Sequence, residues 1–474
     1  VQRWEREQGL PVHRLAHGKQ GQVFAYKSDL DAWWKNRQSQ LAEVEEAPAE
    51  PHEFPWRTVA LLLLAVLVVA AGYLAWRLLR PSPKPPAGAG VVLAVLPFEN
   101  LSRDPEQEYF SDGLTEEMIT QLARLQPGRL AVIARTSVMQ YKRAGKKADQ
   151  IGRELGADHL LEGTVRREGS RVRITAQLVR VRDQAHVWAQ SYDRELSGIL
   201  ALQSEVAKAV TAQVQLSLTP GEEARLASAK PVVVEAHEAY LKGRFFWSTR
   251  SPESLRKALG FFETAIEKDP RYAAAHAGMA DTYILMEEYS DLPPREAARR
   301  ARQAAEGALK LDPALAEAHA SLGMLRYYHD WDWKASEDAF RRAVELNPSY
   351  VTAHHWYANL LGTLGRAKEA RAEIERALRL DPLSAAIRTA AAWRVGAILN
   401  RSWEAAIPEL RAALEISPRY AIAHARLALA CALSGRREEG LRQAEAALPV
   451  VSSSTPMLAE LASVTALLLS LIHI

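Results

Sequence analysis

A repeated pattern in the second half of the chain constrains its fold most strongly. The segments EKDP, KLDP, ELNP, RLDP and EISP end at Pro270, Pro313, Pro348, Pro382 and Pro418, with spacings of 43, 35, 34 and 36 residues. A period near 34 residues is typical of stacked helix pairs, in which each pair buries its apolar face only against its neighbours. The pattern predicts an all-α superhelix over residues 229–474, with an insertion at 288–294.

One copy of the period is especially regular. The segment VTAHHWYANLLGTLGRAKEARAEIERALRLDP, Val351–Pro382, resembles the tetratricopeptide repeat. The resemblance implies at least five repeats, which form a groove that binds a peptide or another protein. Asn359 and His355 are the candidate protein-binding residues of that groove. The Lys and Asn pattern of a carboxylate clamp is not clear, and Asn359 stands alone.

Four histidines occupy equivalent places in these repeats. His276, His319, His354 and His424 each follow a terminal Pro by six residues. Imidazole groups can bind metals or sense pH. Equivalent places lie one repeat apart, however, which is too far for a single metal ion to gather them. We therefore interpret these histidines as packing residues and predict no metal site and no cofactor.

An apolar run in the first half predicts a transmembrane helix. Thr58–Trp76 contains no charged residue and lies between Arg57 and Arg77. A helix of that length spans roughly 28 Å, close to the hydrocarbon thickness of a bilayer. A signal peptide would stand at the N-terminus, and a core helix would show a polar stripe. We expect one span within residues 57–80, and therefore a single-pass protein of a bacterial inner membrane.

The first 37 residues combine aromatic and basic side chains. They read VQRWEREQGLPVHRLAHGKQGQVFAYKSDLDAWWKNR and resemble the second half of a MerR/excisionase-like winged helix-turn-helix, beginning inside its recognition helix. The resemblance implies DNA binding. It places Gln2, Arg3 and Arg6 in the major groove, and His13, Arg14, Lys19 and Gln20 on the wing that meets the phosphate backbone. Because Val1 falls inside a helical pattern, we expect the N-terminus to be truncated, and the C-terminus too, where no capping helix follows.

Between these parts we predict two linkers and one α/β domain. Residues 38–56 are rich in Ala, Glu and Pro and predict a flexible acidic linker, and residues 81–90 a Pro-rich spacer. Residues 91–228 alternate strands and helices and contain a hairpin around Glu168-Gly169-Ser170. The stretches AVLPFENLS, YFSDGLTEEMITQLARL and ELGADHLLEGTVRREGSRVRITAQL resemble the TolB amino-terminal/FlgO-like domain. No activity is generally assigned to that family.

Catalytic motifs are absent from the sequence. Glu99, Asp112, Glu116 and Glu117 form the one candidate cluster of carboxylates for acid–base work or metal binding. Acidic residues at a helix start are also expected from the helix dipole alone, and we favour that structural interpretation. The single cysteine, Cys431, excludes an internal disulfide and cysteine-rich zinc sites. We predict that the chain is not an enzyme, against the hypothesis that it is the non-catalytic part of a nucleotide cyclase.

The combined plan resembles membrane transcriptional regulators of the CadC/ToxR type. We expect a cytoplasmic DNA-binding head, one membrane helix, and a TolB-like and repeat region in the periplasm that binds a protein or peptide. A homodimer is expected, because two DNA half-sites need two heads. The alternative is a membrane-tethered repeat scaffold that assembles envelope complexes without binding DNA.

Overall fold

The structure is a computed structural model. It describes residues 11–15, 22–45, 90–102, 104, 107–125, 129–227, 233–249, 251–289, 292–399, 402–451 and 455–470. The chain divides into two compact units, Val1–Pro85 and Pro86–Ile474, and each is described by itself.

The first unit contains a small hairpin and a helix. Strands β1 (His13–Leu15) and β2 (Gln22–Phe24) pair in antiparallel register, with Arg14 opposite Val23. Helix α1 follows as Lys27–Glu45. It continues past the end predicted at Arg37, so residues 38–45 of the predicted flexible linker are helical. Gln, Leu, Ala and Glu in this stretch are good helix formers, and no Gly or Pro interrupts them.

The second unit begins with a mixed sheet. Its strands are β3 (Val91–Val95), β4 (Glu99–Asn100), β5 (Leu130–Val132), β6 (His159–Glu168), β7 (Arg171–Arg180) and β8 (Ala185–Glu195). The order is β5-β3-β6-β7-β8, and the short β4 pairs with β6. β3 is parallel to both β5 and β6, whereas β6, β7 and β8 form antiparallel pairs. β3 and β5 are joined by a parallel crossover, and the predicted hairpin is present as β6 and β7.

Burial on the sheet follows the alternation of the strands. Val172, Ile174, Ala176 and Leu178 of β7 are all buried, whereas Arg171 and Arg173 between them are exposed. The helices of this domain are α2 (Glu108–Ala123), α3 (Arg135–Val138), α4 (Ala148–Leu155), α5 (Ile199–Gln213) and α6 (Pro220–Ala227). α4 ends at Gly156, whose φ of 64° is the left-handed conformation that glycine adopts most readily.

Helix pairs make up the rest of the chain. They are α7 (Val234–Trp247) with α8 (Pro252–Lys268), α9 (Ala273–Tyr289) with α10 (Pro294–Leu311), α11 (Ala316–Leu325) with α12 (Trp333–Leu346), α13 (Val351–Thr363) with α14 (Ala367–Leu380), α15 (Ala385–Ala391) with α16 (Trp403–Ile416), and α17 (Ala421–Leu433) with α18 (Arg437–Val451). Helix α19 (Thr455–Ser470) follows. π-helical turns, Arg326–Asp330 and Ala392–Leu399, extend α11 and α15.

Close packing inside the repeats depends on small residues. The ring of Phe262 is fully buried, and a Cβ atom at Gly243 or Gly278 would come within 2.6 or 2.7 Å of it. Phe340 lies against Gly323 in the same way one repeat later. The predicted superhelix of helix pairs is thus present, and in its first three pairs the rings of Phe262 and Phe340 enter spaces that glycine leaves open.

The membrane predictions need correction. The longest helices among the described residues, Lys27–Glu45 and Pro294–Leu311, each carry several charged side chains. In this part of the chain no helix combines the length and the apolar character that a bilayer crossing requires. The transmembrane helix in the predicted fold class and the single-pass inner-membrane localisation are therefore not supported. Residues 58–76, on which both predictions were based, lie outside the described residues.

Candidate functional site

The most elaborate polar arrangement in the second unit lies where the sheet domain meets the repeats. Residues from the end of β5 to the start of α3 contact the turn that follows α14, between the fourth and fifth helix pairs. The backbone N–H of Ala134 donates to the carbonyl oxygen of Leu380 at 2.7 Å, and Ser137 Oγ donates to Asp381 Oδ1 at 2.6 Å. Ser137 Oγ in turn accepts from the N–H of Leu383 at 2.9 Å. We call the whole contact between the sheet domain and the repeats, of which these hydrogen bonds are one part, the junction.

A group of paired charges lies in the same junction, between α2 and the first two repeats. Arg244 of α7 binds Glu116 of α2, with Nε 2.8 Å from Oε1. The same guanidinium lies 3.9 Å from Asp281 on α9, which also accepts a 2.6 Å hydrogen bond from Ser321 Oγ. Burial alone would raise the pKa of Glu116, but Arg244 and Arg135 hold it below its ordinary value. Glu116 is thus an ionised structural anchor.

Glu117, the next residue, has the opposite environment. Gln203 Nε2 on α5 donates to its Oε2 at 2.5 Å, and His237 Nε2 on α7 lies 3.5 Å from the same oxygen. Burial raises the pKa of Glu117 to about 8, and the neighbouring charge of Glu116 adds to this effect. Burial lowers the pKa of His237 to about 4, although Glu238 opposes it. Both groups are therefore uncharged at neutral pH.

The remaining candidate carboxylates are placed differently. Asp112, 4 % exposed, forms an ion pair with Lys142, and Arg135 lies 3.9 Å away. Glu99 is exposed on β4, apart from the other three. Asp112, Glu116 and Glu117 thus lie along one helix, and each is neutralised by a cation or by a proton. No group of three or more metal-ligating side chains occurs among the described residues.

The repeat histidines hold the turns between helix pairs. Nε2 of His276, His319, His354 and His424 lies 3.2, 3.0, 2.9 and 2.9 Å from the carbonyl oxygen of the Pro six residues earlier. Arg388 takes the same place in the fifth helix pair, with its guanidinium 3.5 Å from the carbonyl oxygen of Pro382. The predicted structural role therefore acts through a hydrogen bond to the turn, which the sequence interpretation did not anticipate.

The two candidate groove residues lie on α13. Asn359 is only 8 % exposed, and its backbone oxygen accepts a hydrogen bond from Thr363 Oγ1. His355 is partly buried. Their role in binding a partner remains a prediction.

Two of the predicted DNA-binding residues fall on described parts of the first unit. His13 in β1 is about half exposed, its Nε2 lies 3.1 Å from Asp29 Oδ2, and its ring packs against Tyr26. Arg14 is the next residue of that strand. The others, Gln2, Arg3, Arg6, Lys19 and Gln20, lie outside the described residues, so the structure does not bring the seven together.

Several residues of the junction carried no signal in the sequence. Arg244, His237 and Gln203 lie 128, 120 and 86 positions or so from their partners on α2, and no local motif connects them. The sequence offered one clue to these contacts: an ionisable residue on the apolar face of a helix needs a partner from another element. In chemical terms the junction joins the two modules through hydrogen bonds and ion pairs, and its carboxylates Asp112, Glu116 and Glu117 each have a partner among the described residues.

The stacked helix pairs and the mixed sheet define a tetratricopeptide repeat protein that carries an α/β domain. Residues 351–382 match the tetratricopeptide repeat model, over the same stretch that the sequence singled out. Residues 89–209 match the second domain of HilA/YgeH-like transcriptional regulators. The TolB-like resemblance is not what this comparison reports for the sheet domain.

Two individual proteins of related sequence carry different names, one as an adenylate cyclase and one as a transcriptional regulator. The chain is 41% identical over 203 residues to "Putative adenylate cyclase 3" of Rhizobium meliloti, covering 42% of this chain and 34% of that protein. It is 23% identical over 316 residues to "Transcriptional regulator HilA" of Salmonella typhimurium, covering 66% of this chain and 55% of that protein. The chain thus spans about a third and about half of these relatives.

Among solved structures, YrrB, described as a TPR protein with an unusual peptide-binding site, is 24% identical. The match covers 40% of this chain and 89% of YrrB, with a TM-score of 0.26.

Proposed function

We propose that this chain is part of a DNA-binding transcriptional regulator. The observation that carries the proposal is the similarity to transcriptional regulator HilA, which extends over 66% of the chain. The hairpin β1–β2 followed by α1 is compatible with the wing of a winged helix-turn-helix, which supports a MerR-like head in residues 1–37. In this head, Gln2, Arg3 and Arg6 read bases, and His13, Arg14, Lys19 and Gln20 contact phosphates.

The sheet domain and the repeats form the protein-binding part in this proposal. Tetratricopeptide arrays present extended surfaces to peptides and proteins, and the α13 residues Asn359 and His355 are our candidates for such contacts. The same proposal includes the resemblance of the sheet domain, residues 91–228, to the TolB amino-terminal/FlgO-like domain. The head acts as a homodimer, because two half-sites require two copies.

Footprinting tests the DNA-binding part. The full-length protein is incubated with DNA from upstream of its own gene at low and moderate salt. We expect two protected half-sites, spaced by roughly one helical turn of about 10 base pairs. Lys19→Ala should weaken binding to all sequences and reduce the slope of log K against log salt by about 1. Lys368→Ala, an exposed change on α14, serves as the charge-matched control. Absence of protection at both salt concentrations would remove the regulator proposal and leave the scaffold without DNA binding.

A second observation concerns the adenylate cyclase relative. The 203 and 316 matched residues together exceed the 474 of the chain, so the two matches overlap. We infer that the overlapping part is a non-catalytic module used by proteins with different outputs. Incubation of the chain with ATP and Mg²⁺ or Mn²⁺ should yield no cyclic AMP; product formation above that of a heat-denatured sample would contradict this inference.

A further inference from the structure

Three polar side chains from three different helices meet inside the junction. Glu117 comes from α2, Gln203 from α5 and His237 from α7. Gln203 and His237 are 1 % and 0 % exposed, and the Glu117 side chain is 13 % exposed. α2 and α5 belong to the sheet domain, whereas α7 opens the repeat array. The cluster therefore lies at the place where the two modules are joined.

Two atoms in this cluster have no hydrogen-bond partner. Gln203 donates its amide to Glu117, which leaves Gln203 Oε1 without a donor. His237 Nδ1 lies 3.0 Å from the hydroxyl of Tyr272, and His237 Nε2 has no partner. Gln203 Oε1 is an acceptor. His237 Nε2 is also an acceptor in the tautomer whose Nδ1–H donates to the hydroxyl of Tyr272. An ionised carboxylate only accepts, whereas a protonated one carries the O–H donor that His237 Nε2 lacks.

The surrounding charges favour the protonated form. Glu116 on α2 and Glu238 on α7 are carboxylates, and Tyr240 on α7 and Tyr272 before α9 are buried phenols that interact with Glu117. Asp269, at the end of α8, acts on Tyr272. α7 carries two cations: the guanidinium of Arg244 is engaged by Glu116 and Asp281, and the ammonium of Lys242 lies over the rings of Tyr109 and Phe261. An ionised Glu117 would therefore be a buried negative charge next to other acidic groups.

We propose that Glu117 and His237 share one proton at neutral pH, and that release of this proton as the pH rises loosens the contact between α2 and α7. The junction then couples the sheet domain to the repeats tightly below neutrality and weakly in alkali. The affinity of a partner that binds one module would therefore depend on pH, because the contact of that module with the other one does.

The direction follows from proton counting. When the junction is open, Glu117 and His237 regain their ordinary values of 4.5 and 6.5 and hold no proton above about pH 6.5. When it is closed, the pair keeps one proton until about pH 8. Closing of the junction therefore takes up one proton between pH 6.5 and pH 8. Within this range, a rise of one pH unit favours the open form by up to tenfold.

Infrared spectroscopy of the wild-type chain tests the shared proton directly. At pH 7 exposed carboxyl groups are ionised, so absorption of a protonated carboxylic acid reports a buried one. We expect such a band at pH 7 and its loss by about pH 9, and we expect Glu117→Gln to lack it. Absence of the band from the wild-type spectrum at pH 7 would overturn the proposal, whether or not the variant folds.

Hydrogen exchange tests the loosening. Amide protection of α7, corrected for intrinsic rates, should fall roughly 8-fold between pH 6.5 and 8 in the wild type, because the proton is only partly gained or lost at the two ends of this range. Glu117→Gln keeps an uncharged donor toward His237, so its α7 protection should stay constant. Glu375→Gln, on the exposed face of α14, should behave like the wild type. Constant protection in the wild type, or the same fall in Glu117→Gln, would contradict the proposal.

Discussion

Ser137 and Asp381 are 244 positions apart in sequence, yet the hydroxyl of one donates to the carboxylate of the other at 2.6 Å, and both side chains are buried. Ser137 lies in a short helix after the edge strand of the sheet, and Asp381 caps the end of the second helix of the fourth repeat pair. The sheet domain is thus fixed to a turn between two repeats by two polar groups that are almost completely shielded from water.

Replacement of Ser137 by Ala should destabilise the junction. The change leaves the buried Asp381 carboxylate without this donor and the N–H of Leu383 without its acceptor. A lost partner for a buried polar group costs about 1–3 kcal/mol. Urea unfolding should show this loss, whereas Ser463→Ala, at an exposed serine that bonds only within its own helix, should change the free energy of unfolding little. Equal effects of the two substitutions would argue against a stabilising role for the Ser137 contact.

The Glu116–Arg244 pair should show the asymmetry of a buried ion pair. Arg244→Leu leaves Glu116 with less compensation for its charge, which should cost about 3–5 kcal/mol. The double variant Arg244→Leu/Glu116→Leu removes both charges and should be more stable than the single variant. Denaturant melts of the three proteins measure the difference. A double variant less stable than Arg244→Leu would mean that shape, not charge, governs this contact.

Acid should weaken the fold through the same pair. The folded pKa of Glu116 lies below its ordinary value of 4.5 because Arg244 and Arg135 outweigh its burial. Its contribution is therefore fully present above about pH 4.5 and is lost as the pH falls through the lower, folded value. Free energies of unfolding measured between pH 5 and pH 3 should fall less steeply in Arg244→Leu than in the wild type. Parallel slopes would exclude Glu116 as the titrating group.

Local patterns in the sequence predicted much of this fold. A period of about 34 residues located the repeat at 351–382, and the turn sequence Glu168-Gly169-Ser170 located the hairpin of β6 and β7, because helix packing and tight turns both act between near neighbours.

The junction could not be predicted in this way. Glu116 was interpreted as a helix-start residue, but its main interaction is with Arg244, 128 positions later. Asp112 and Glu117 likewise depend on partners from other elements. Such pairings are decided by how two finished modules dock, and a single sequence contains no periodic signal for docking. The predicted membrane helix is corrected for a different reason: it depended on the length and apolar character of residues 58–76, and no helix among the described residues combines the two.

Glycine in the repeats should be tolerant only where space is open. A Cβ at Gly278 would lie 2.7 Å from the ring of the fully buried Phe262, so Gly278→Ala should cost about 1–3 kcal/mol. Gly260, on the neighbouring helix α8, meets nothing within 4 Å, and Gly260→Ala should stabilise the protein by about 0.4–1 kcal/mol. Thermal melts compare the two. If both substitutions stabilise, Phe262 has room that this packing does not show.

The repeat histidines should differ in importance according to their contacts. His354 is 4 % exposed, and its ring nitrogens lie 2.9 Å from the carbonyl oxygen of Pro348 and 2.6 Å from Glu373 Oε2. His276 is more exposed and makes one contact, at 3.2 Å. His354→Phe keeps an aromatic ring but removes both hydrogen bonds, so it should cost about 1–3 kcal/mol, and His276→Phe should cost less. Urea unfolding of both variants measures this order. A reversed order would show that the repeats need the packing of the ring at this position, and not its hydrogen bond to the turn.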